Sequence, residues 1–338
     1  MARHHAVRQP ILRSFELRAI TTRDQLSHEL KKQALQEGFN PVGIARIPGS
    51  HRLNLRTAAL QRWLQAGHQA DMNWMAATRR QNTELLLEGV SSLLAVGMNY
   101  YVDVERRPHS LSVARFGWGR DYHRVIKKRL NRLGRWLEEQ RPDCRWKVCV
   151  DADPLMDKAW AEEAGLGWIG KHSNLIHHKR GSWMVLGHLL CTEPLTPDQP
   201  SQPRCGSCQA CIDACPTQAI SEPFVVNSRQ CLAYHTIENR QPKLPESIQA
   251  SIGDWIAGCD ICQDVCPWNQ SELPSSSDPD VQPRAWILKL TRDQALAWDD
   301  ETWNKNLRGS ALRRIKPWMW RRNALAAQAK KTLSLSRT

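Results

Sequence analysis

A chain of 338 residues is long enough for two or three domains, and its 41% hydrophobic and 24% charged residues are those of a soluble globular protein. Its formal net charge of +13 at pH 7 favours a polyanionic partner, either nucleic acid or a membrane surface. The alternative is a basic soluble protein that has no such partner. No apolar run reaches the roughly 18 residues of a membrane span, and the basic N-terminal stretch lacks the apolar core of a signal peptide. These features exclude an integral membrane protein and predict a cytoplasmic one.

Helical and extended segments alternate through the first 190 residues. Apolar residues at helical spacing predict helices at 21–37, 53–68 and 122–140. Short apolar runs predict strands at 41–47, 91–100 and 146–150. A further helix is expected from Pro154 to about Ala164 with Asp153 as its N-cap, and then a β-hairpin that turns at 179–181. The alternation predicts an α+β protein whose N-terminal part is an α/β domain.

The composition changes twice, and each change predicts a linker. EPLTPDQPSQP (193–203) is rich in proline, and SELPSSSDPDVQP (271–283) is rich in serine and proline. We therefore divide the chain into a catalytic domain at 20–192, a cysteine-rich module at 193–270 and a short helical basic tail at 284–331.

Eight of the 11 cysteines form two runs, each ending in Cys-Pro. The spacing C-x2-C-x2-C-x3-C-P is that of bacterial ferredoxins with two 4Fe-4S clusters, in which the last cysteine of a run ligates the other cluster. A zinc ribbon is the alternative, because C-x2-C pairs also bind zinc. We predict cluster 1 on Cys205, Cys208, Cys211 and Cys266. We predict cluster 2 on Cys215, Cys231, Cys259 and Cys262. The remaining cysteines are Cys144, Cys149 and Cys191, expected to be small buried hydrophobic residues.

The clusters carry electrons, so the N-terminal domain must contain their acceptor. It has neither a dinucleotide-binding G-x-G-x-x-G that opens a helix after a strand nor a phosphate-binding P-loop. The segment VDADPLMDKAWAEEAGLGWIGKHSNLI has the character of a cofactor and catalysis segment. Asp151 stands at a strand end, a frequent place for a catalytic carboxylate; a helix cap or turn residue is the alternative.

That segment, together with GSWMVLGHLL, CGSCQACIDACPTQAI, CLAYHTIE, GCDICQDVCPWN, GRDYHRVIKKRL and GSALRRI, resembles the epoxyqueuosine reductases over about residues 25 to 325. The resemblance implies an N-terminal cobalamin-binding reductase domain followed by a ferredoxin-like module with two 4Fe-4S clusters. It also implies removal of the epoxide oxygen of epoxyqueuosine in tRNA, which gives queuosine, and a core similar to that of corrinoid reductive dehalogenases.

The resemblance places the proton donor at Asp151, and we expect burial beside the corrin to raise its pKa so that it stays protonated. The cobalamin contacts it implies are Trp74, Asp151, Lys171, His172, Ser173, Asn174, Leu175, Ser182, Trp183 and Ala233. A D-x-H-x-x-G motif is absent from the sequence, so we expect base-off cobalamin without a histidine ligand to cobalt.

Two basic stretches are candidates for tRNA binding, because cations bind phosphates and aromatic rings stack on unpaired bases. One is 120–135; the other, in the tail, contains Arg308, Arg313, Arg314, Lys316, Trp318, Trp320, Arg321 and Arg322. The alternative for each stretch is a basic helix face that is exposed to solvent and binds no nucleic acid. The segment YHTIEN (234–239) could meet the anticodon loop. We expect a monomer that takes electrons from an external donor. The competing functions are a reductive dehalogenase for small molecules and a ferredoxin fused to an RNA-binding domain.

Overall fold

The computed structural model describes residues 21–270 and 272–327. Its strands are β1 (Val42–Arg46), β2 (Ser92–Asn99), β3 (Ser112–Val113), β4 (Trp146–Cys149), β5 (Trp168–Ile169), β6 (Leu175–Ile176), β7 (Met184–Cys191), β8 (Ile220–Glu222), β9 (Val225–Val226) and β10 (Trp255–Ala257). Its α-helices before the cysteine-rich module are α1 (Arg23–Gln36), α2 (His51–Gln65), α3 (Tyr122–Gln140) and α4 (Asp157–Glu163). The later ones are α5 (Ala210–Asp213), α6 (Leu232–Ile237), α7 (Glu246–Ser251), α8 (Ile261–Asp264), α9 (Pro267–Gln270), α10 (Arg292–Ala297), α11 (Asp300–Leu307) and α12 (Pro317–Ala326).

The central sheet has the strand order β1-β2-β7-β4, and all three neighbouring pairs are antiparallel. Its middle strand β2 is buried on both faces. Leu94 and Val96 face the core that α1 and α3 complete, whereas Leu93 and Ala95 face the core on the α4 side. A side chain at Gly187 of β7 would collide with α3, since its Cβ would lie 2.4 Å from Ile126. Helices on both faces of an antiparallel sheet confirm the α+β class.

The three helices and three strands predicted before residue 150 are all present, with ends shifted by a few residues. The first helix begins at a capping box, in which Thr22 accepts from the Gln25 backbone N–H and the Gln25 side chain bonds back to Thr22. It ends before Gly38, which has a φ of +86°. None of the helices in residues 21–270 and 272–327 is long and apolar enough to cross a bilayer.

The predicted helix start at Pro154 is wrong, because α4 begins only at Asp157 and its N-cap is Met156. Asp153 does not cap a helix. Its carboxylate accepts a hydrogen bond from the Val150 backbone N–H at 3.0 Å, which closes a turn directly after β4. The residues between β4 and α4 therefore form a loop.

The predicted β-hairpin around 179–181 is reduced to a single bridge between His177 and Gly181. The strand before the turn, β6, pairs with β5, and the strand after it, β7, pairs with β2 and β4 in the central sheet. The two strands diverge because each pairs with a different strand.

The main hydrophobic core contains residues from all three predicted segments, from Leu26 to Ala327. The cysteine-rich module joins the N-terminal part through β10, which pairs in parallel with β3. The tail contacts the cysteine-rich module through Asn323, whose side-chain amide donates to the carbonyl oxygens of Thr236 and Ile256 at 2.8 and 2.9 Å. The boundaries 20–192, 193–270 and 284–331 stay a prediction about sequence organisation, and residues 20 and 328–331 lie outside the described residues.

The tail is helical where it is described, but two of its predicted tRNA contacts lie in the core. Trp320 is fully buried, and its ring stacks on Trp298 with a centroid distance of 4.9 Å. Arg322 is 8% exposed and donates to the carbonyl oxygens of His235 and Asn239. These two residues hold the tail against α6 and are not available to a nucleic acid.

We expect Trp320→Ala to lower the free energy of unfolding by about 3–5 kcal/mol, because it leaves a large cavity beside Trp298. Urea denaturation measures the change. Trp318→Ala is the matched control: this ring is 40% exposed, so the expected loss is about 1 kcal/mol or less. Equal losses in both variants would contradict the structural role of Trp320.

Candidate active site

Asp151 lies in the loop that follows β4 and has a φ of +47°. Non-glycine residues rarely adopt this left-handed conformation, and aspartate is among those that tolerate it best. The turn closed by Asp153 supports this backbone geometry. The Asp151 side chain is 53% exposed.

The first turn of α3 supplies two partners to Asp151. Asp121 is the N-cap of α3 and accepts from the His123 backbone N–H at 3.1 Å; the same oxygen lies 2.8 Å from His123 Nδ1. His123 Nε2 lies 2.9 Å from Asp151 Oδ2, and the Tyr122 hydroxyl donates to that oxygen. The Tyr122 and His123 rings stack with centroids 4.1 Å apart. The histidine thus bridges two carboxylates, and the three side chains around Asp151 are fixed in place.

These contacts determine the direction in which the pKa of Asp151 is shifted. Burial raises its pKa, but the hydrogen bonds from His123 and Tyr122 outweigh burial, so the pKa lies below the ordinary value. Burial lowers the pKa of His123, but its bonds with Asp121 and Asp151 raise it to about 9. The prediction of a raised pKa concerned Asp151 buried beside a corrin, and for that state it stays a prediction. At neutral pH an imidazolium donates its Nε2 proton to an ionised Asp151.

Asp151 and Tyr122 line a cavity of about 1240 Å³. Pockets for small molecules usually measure about 300–1,000 Å³, so this cavity suits a larger ligand. The predicted cofactor residues that line it are Trp74, Asp151, His172, Ser173, Asn174, Leu175, Ser182 and Ala233. The tertiary structure thus brings together residues that span 160 positions of the sequence.

Two predicted cofactor residues, Lys171 and Trp183, do not line the cavity. Lys171 Nζ donates to the carbonyl oxygens of Gly206 and Cys208 at 2.8 Å each, which holds the first cysteine loop. Trp183 is 2% exposed and lies 4.6 Å below the Arg115 guanidinium. Their side chains have these structural contacts, and a cofactor contact from either residue stays a prediction.

His172 presents an unsatisfied donor at the cavity wall. It is 4% exposed; its Nδ1 accepts from the Asn174 backbone N–H at 3.1 Å, so Nε2 carries the proton, and Nε2 has no partner within the described residues. Burial, and then the charge of Lys158, lowers its pKa to about 4, so the ring is neutral. Leaving a buried donor unpaired costs about 1–3 kcal/mol. A ligand with hydrogen-bond acceptors, such as a corrin bearing amide side chains, fits this wall.

Sequence reasoning missed four residues that shape the cavity: Tyr122, His123, Lys158 and Arg80. Lys158 Nζ donates to the carbonyl oxygen of Ser173 and to Asn174 Oδ1, and burial lowers its pKa. Arg80 is 6% exposed, donates to the Leu155 carbonyl and lies 5.3 Å above the Trp74 ring. Tyr122, His123 and Lys158 lie inside the motifs that carry the family resemblance, and these motifs could have indicated them as site residues. No pattern pointed to Arg80.

Thiols of each predicted cluster group are neighbours, and the assignment of the ligands to two clusters stays a prediction. Burial and the neighbouring thiols together raise the pKa of the Cys266 thiol to about 11; these neighbours are Cys205, Cys208 and Cys211. Burial also raises the pKa of Cys259, and its thiol neighbours are Cys231 and Cys262. The pKa of Cys231 is raised as well, by burial and also by its thiol neighbour Cys215. The last cysteine of each run is therefore near the other run, and all eight are free thiols that suit cluster ligation.

The two cysteine groups differ in position. Cys215, Cys231, Cys259 and Cys262 line the cavity. Within residues 21–270 and 272–327, no cysteine of the cluster 1 group lines it, and Cys208 is exposed at the protein surface. The predicted ligands of cluster 2 therefore lie at the cavity, whereas one predicted ligand of cluster 1, Cys208, lies at the surface.

Comparisons with known proteins agree with this arrangement. The family model described as "4Fe-4S double cluster binding domain" matches residues 204–269, which confirms two 4Fe-4S clusters and excludes the zinc ribbon. The model described as "Epoxyqueuosine reductase QueG, DUF1730" matches residues 80–152. An epoxyqueuosine reductase of Synechococcus sp. (strain CC9605) is 69% identical over 92% of this chain and 97% of its own length. The chain belongs to the epoxyqueuosine reductase family.

Further relatives extend the match. The epoxyqueuosine reductase of Prochlorococcus marinus (strain NATL2A) is 60% identical over 88% of this chain and 96% of its own length. A crystal structure of epoxyqueuosine reductase with an epoxyqueuosine-modified tRNA-Tyr stem loop has a TM-score of 0.80 and 28% identity, covering 89% of this chain and 80% of that one. The Bacillus subtilis enzyme, described with its catalytic aspartate loop swung out of the active site, has a TM-score of 0.79 and 27% identity, covering 89% and 80% of the two chains. These relatives confirm an oxidoreductase and do not favour the dehalogenase alternative.

Proposed function

We propose that this chain reduces epoxyqueuosine to queuosine in the anticodon loop of tRNA, the last step of queuosine biosynthesis, with cobalamin and two 4Fe-4S clusters. One observation carries the proposal: a single cavity of about 1240 Å³ joins Asp151 to the four cysteines of cluster 2. Electrons and a proton can therefore reach the same bound substrate. The family relatives named above support the choice of substrate.

The reaction needs two electrons and two protons, because the epoxide oxygen leaves as water and a carbon–carbon double bond remains. Cobalamin, when bound, supplies a low-valent cobalt that can reduce a carbon–oxygen bond with electrons from the clusters. The residues that would hold it are the eight predicted ones that line the cavity, with Lys158 and Arg80 beside them. His172 would use its unsatisfied Nε2 proton for a ligand acceptor.

Asp151 and His123 together would move the proton. Asp151 is ionised at neutral pH, whereas His123 is protonated and donates to it through Nε2. Negative charge that develops on the departing oxygen would draw the proton from His123 through the Asp151 carboxylate. Asp121 would stabilise the imidazolium from the opposite side, at 2.8 Å from Nδ1.

The tRNA surface we propose is narrower than the sequence suggested. On α3, Arg129 is paired with Asp278 at 2.7 Å, and Arg132 is paired with Glu37. Arg124 and Lys127 are exposed in the first two turns of α3. In the tail, Lys316 and Trp318 are exposed as well. We assign phosphate contacts to Arg124, Lys127 and Lys316.

We expect Arg124→Gln and Lys127→Gln each to weaken binding of a tRNA stem loop and to reduce the slope of log affinity against log salt by about 1, because each removes one phosphate contact. Fluorescence anisotropy at several salt concentrations measures both. Lys32→Gln removes the same charge from an exposed position on α1, outside α3, and should leave the slope unchanged. A wild-type slope in both α3 variants would remove α3 from the interface.

The proposed function is tested by anaerobic incubation with cobalamin, a low-potential reductant and tRNA that contains epoxyqueuosine, followed by mass analysis of the nucleosides. The expected product has lost one oxygen atom and forms only when cobalamin is present. Cobalamin binding without conversion would favour a dehalogenase. Clusters and tRNA binding without cobalamin binding would favour the ferredoxin fused to an RNA-binding domain.

We also propose a cytoplasmic monomer that receives electrons from an external donor. A single chain already brings Asp151, both cysteine groups and the cavity together, so the site needs no residue from a second copy. Light scattering of the purified protein measures its molecular mass, and a dimer would overturn this part of the proposal.

A further inference from the structure

Cluster 1 is accessible from outside at a place separate from the substrate cavity. Cys208 is exposed, and Gly206 and Ser207 beside it are exposed as well. Among the described residues, cysteines of the cluster 2 group line the cavity and those of the cluster 1 group do not. An electron that enters at cluster 1 therefore reaches the cavity through cluster 2, and its source need not compete with tRNA for the cavity mouth.

The loop around Cys208 is bordered by cations. Lys171 Nζ donates to the carbonyl oxygens of Gly206 and Cys208, and Arg204 is exposed directly before Cys205. Residues 202–212 contain neither Asp nor Glu. The charged side chains that border the loop are therefore cationic, and residues 202–212 add no acidic side chain.

A second basic segment, the turn at 177–181, lies beside the same cluster. A Cβ at Gly181 would be 2.9 Å from the Trp268 carbonyl oxygen, and the Ser182 backbone N–H donates to Asn269 Oδ1 at 2.7 Å. Trp268 and Asn269 directly follow the cluster 1 residue Cys266 and its proline. The turn is thus fixed next to cluster 1.

The turn and the cysteine loop meet at His178. Burial, and then the positive charges of Arg204 and Lys179, lowers the pKa of His178, so these side chains are close neighbours. His178, Lys179 and Arg204 are all exposed. Residues 170–182 also contain neither Asp nor Glu. We call the surface formed by Lys171, His178, Lys179 and Arg204 around Cys208 the electron-entry rim.

We propose that the electron-entry rim is the docking surface for a small one-electron carrier protein with an acidic surface. The inference rests on the proposed function and names the class of its electron donor. In each encounter the carrier is oxidised by one electron and cluster 1 is reduced by one electron, so two encounters supply one turnover; no bond is broken and no proton moves at the rim. Opposite charges at a redox contact raise the rate of productive encounters.

The test measures cluster reduction directly. Protein with both clusters is mixed anaerobically with a reduced acidic ferredoxin, and bleaching of the cluster absorbance gives a second-order rate constant. We expect Lys179→Glu to lower this constant about tenfold at low ionic strength, and Lys179→Gln to give an intermediate value. Added salt should slow the wild type more than either variant, because it screens the attraction.

Two controls separate docking from damage to the cluster. Reduction by dithionite, a small anion, should occur to the same extent in wild type and variants, since cluster 1 itself is unchanged. Lys32→Glu makes the same charge change at an exposed position on α1. Ferredoxin should reduce the clusters of this variant at the wild-type rate.

The outcomes distinguish the possibilities. A wild-type rate in Lys179→Glu, or no binding of the acidic ferredoxin to the wild-type protein, would overturn the inference. Weaker tRNA binding in Lys179→Glu with unchanged ferredoxin reduction would assign the rim to tRNA instead. Normal, charge-dependent reduction by ferredoxin without conversion of epoxyqueuosine would leave the rim intact and overturn the proposed function alone.

Discussion

Asp151→Asn is expected to reduce conversion of epoxyqueuosine about 10²–10⁴-fold, the usual contribution of a positioned proton donor. The amide has nearly the same size as the carboxylate, so the loop and the cavity should keep their shape. It cannot take a proton from His123 and pass it to the departing oxygen. Cobalamin binding and the iron content should remain at wild-type levels, and single-turnover kinetics with nucleoside analysis measures the loss.

The pH profile tests the role of His123 in the same step. Its pKa is raised to about 9, so the imidazolium is present below that pH and is lost above it. We expect wild-type turnover to fall as the pH rises through about 9, and His123→Gln to be slow at every pH without that descending limb. Asp153→Asn is the matched control for Asp151→Asn, because it makes the same chemical change in the same loop. Its amide oxygen can still accept a hydrogen bond from the Val150 backbone N–H, so the loop should keep its shape. Wild-type turnover in Asp151→Asn, with cobalamin bound, would remove the proton-donor assignment.

Cys266→Ser and Cys215→Ser are each expected to abolish turnover and to halve the iron content, although they lie at the ends of different cysteine runs. The predicted pairing gives Cys266 to cluster 1 and Cys215 to cluster 2, and the proximity of the thiols supports it. Loss of one thiolate leaves a cluster without its fourth ligand, and loss of either cluster interrupts the path from surface to cavity.

The spectra of the surviving cluster identify the pairing. The electron paramagnetic resonance spectrum of reduced Cys266→Ser should match that of Cys208→Ser, because both retain cluster 2. The spectrum of Cys215→Ser should match that of Cys262→Ser, because both retain cluster 1. Cys144→Ser, outside both groups, should keep both clusters. A match between Cys215→Ser and Cys208→Ser would show that each run ligates its own cluster and would overturn the crossed pairing.

Sequence reasoning succeeded where a feature depends on neighbours along the chain. The helix at 122–140 has the predicted bounds because its apolar spacing and its N-cap Asp121 are local. It failed at α4, where Asp153 has the residue type of an N-cap but bonds instead to Val150. The prediction that Trp320 in the tail contacts tRNA was wrong for a similar reason. A basic and aromatic composition does not show which ring is buried in the core.

The sequence by itself determined the cofactor chemistry and the family of this protein, because cluster ligation depends on cysteine spacing and the family motifs are short and continuous. Only the tertiary structure decided how the proton is held. His123 and Asp151 are 28 residues apart, and they meet because the end of β4 and the start of α3 open onto one cavity. That contact reverses the pKa shift that burial alone would give to Asp151. A pKa depends on every charge and hydrogen bond around a group in three dimensions, and no local pattern in the sequence encodes these.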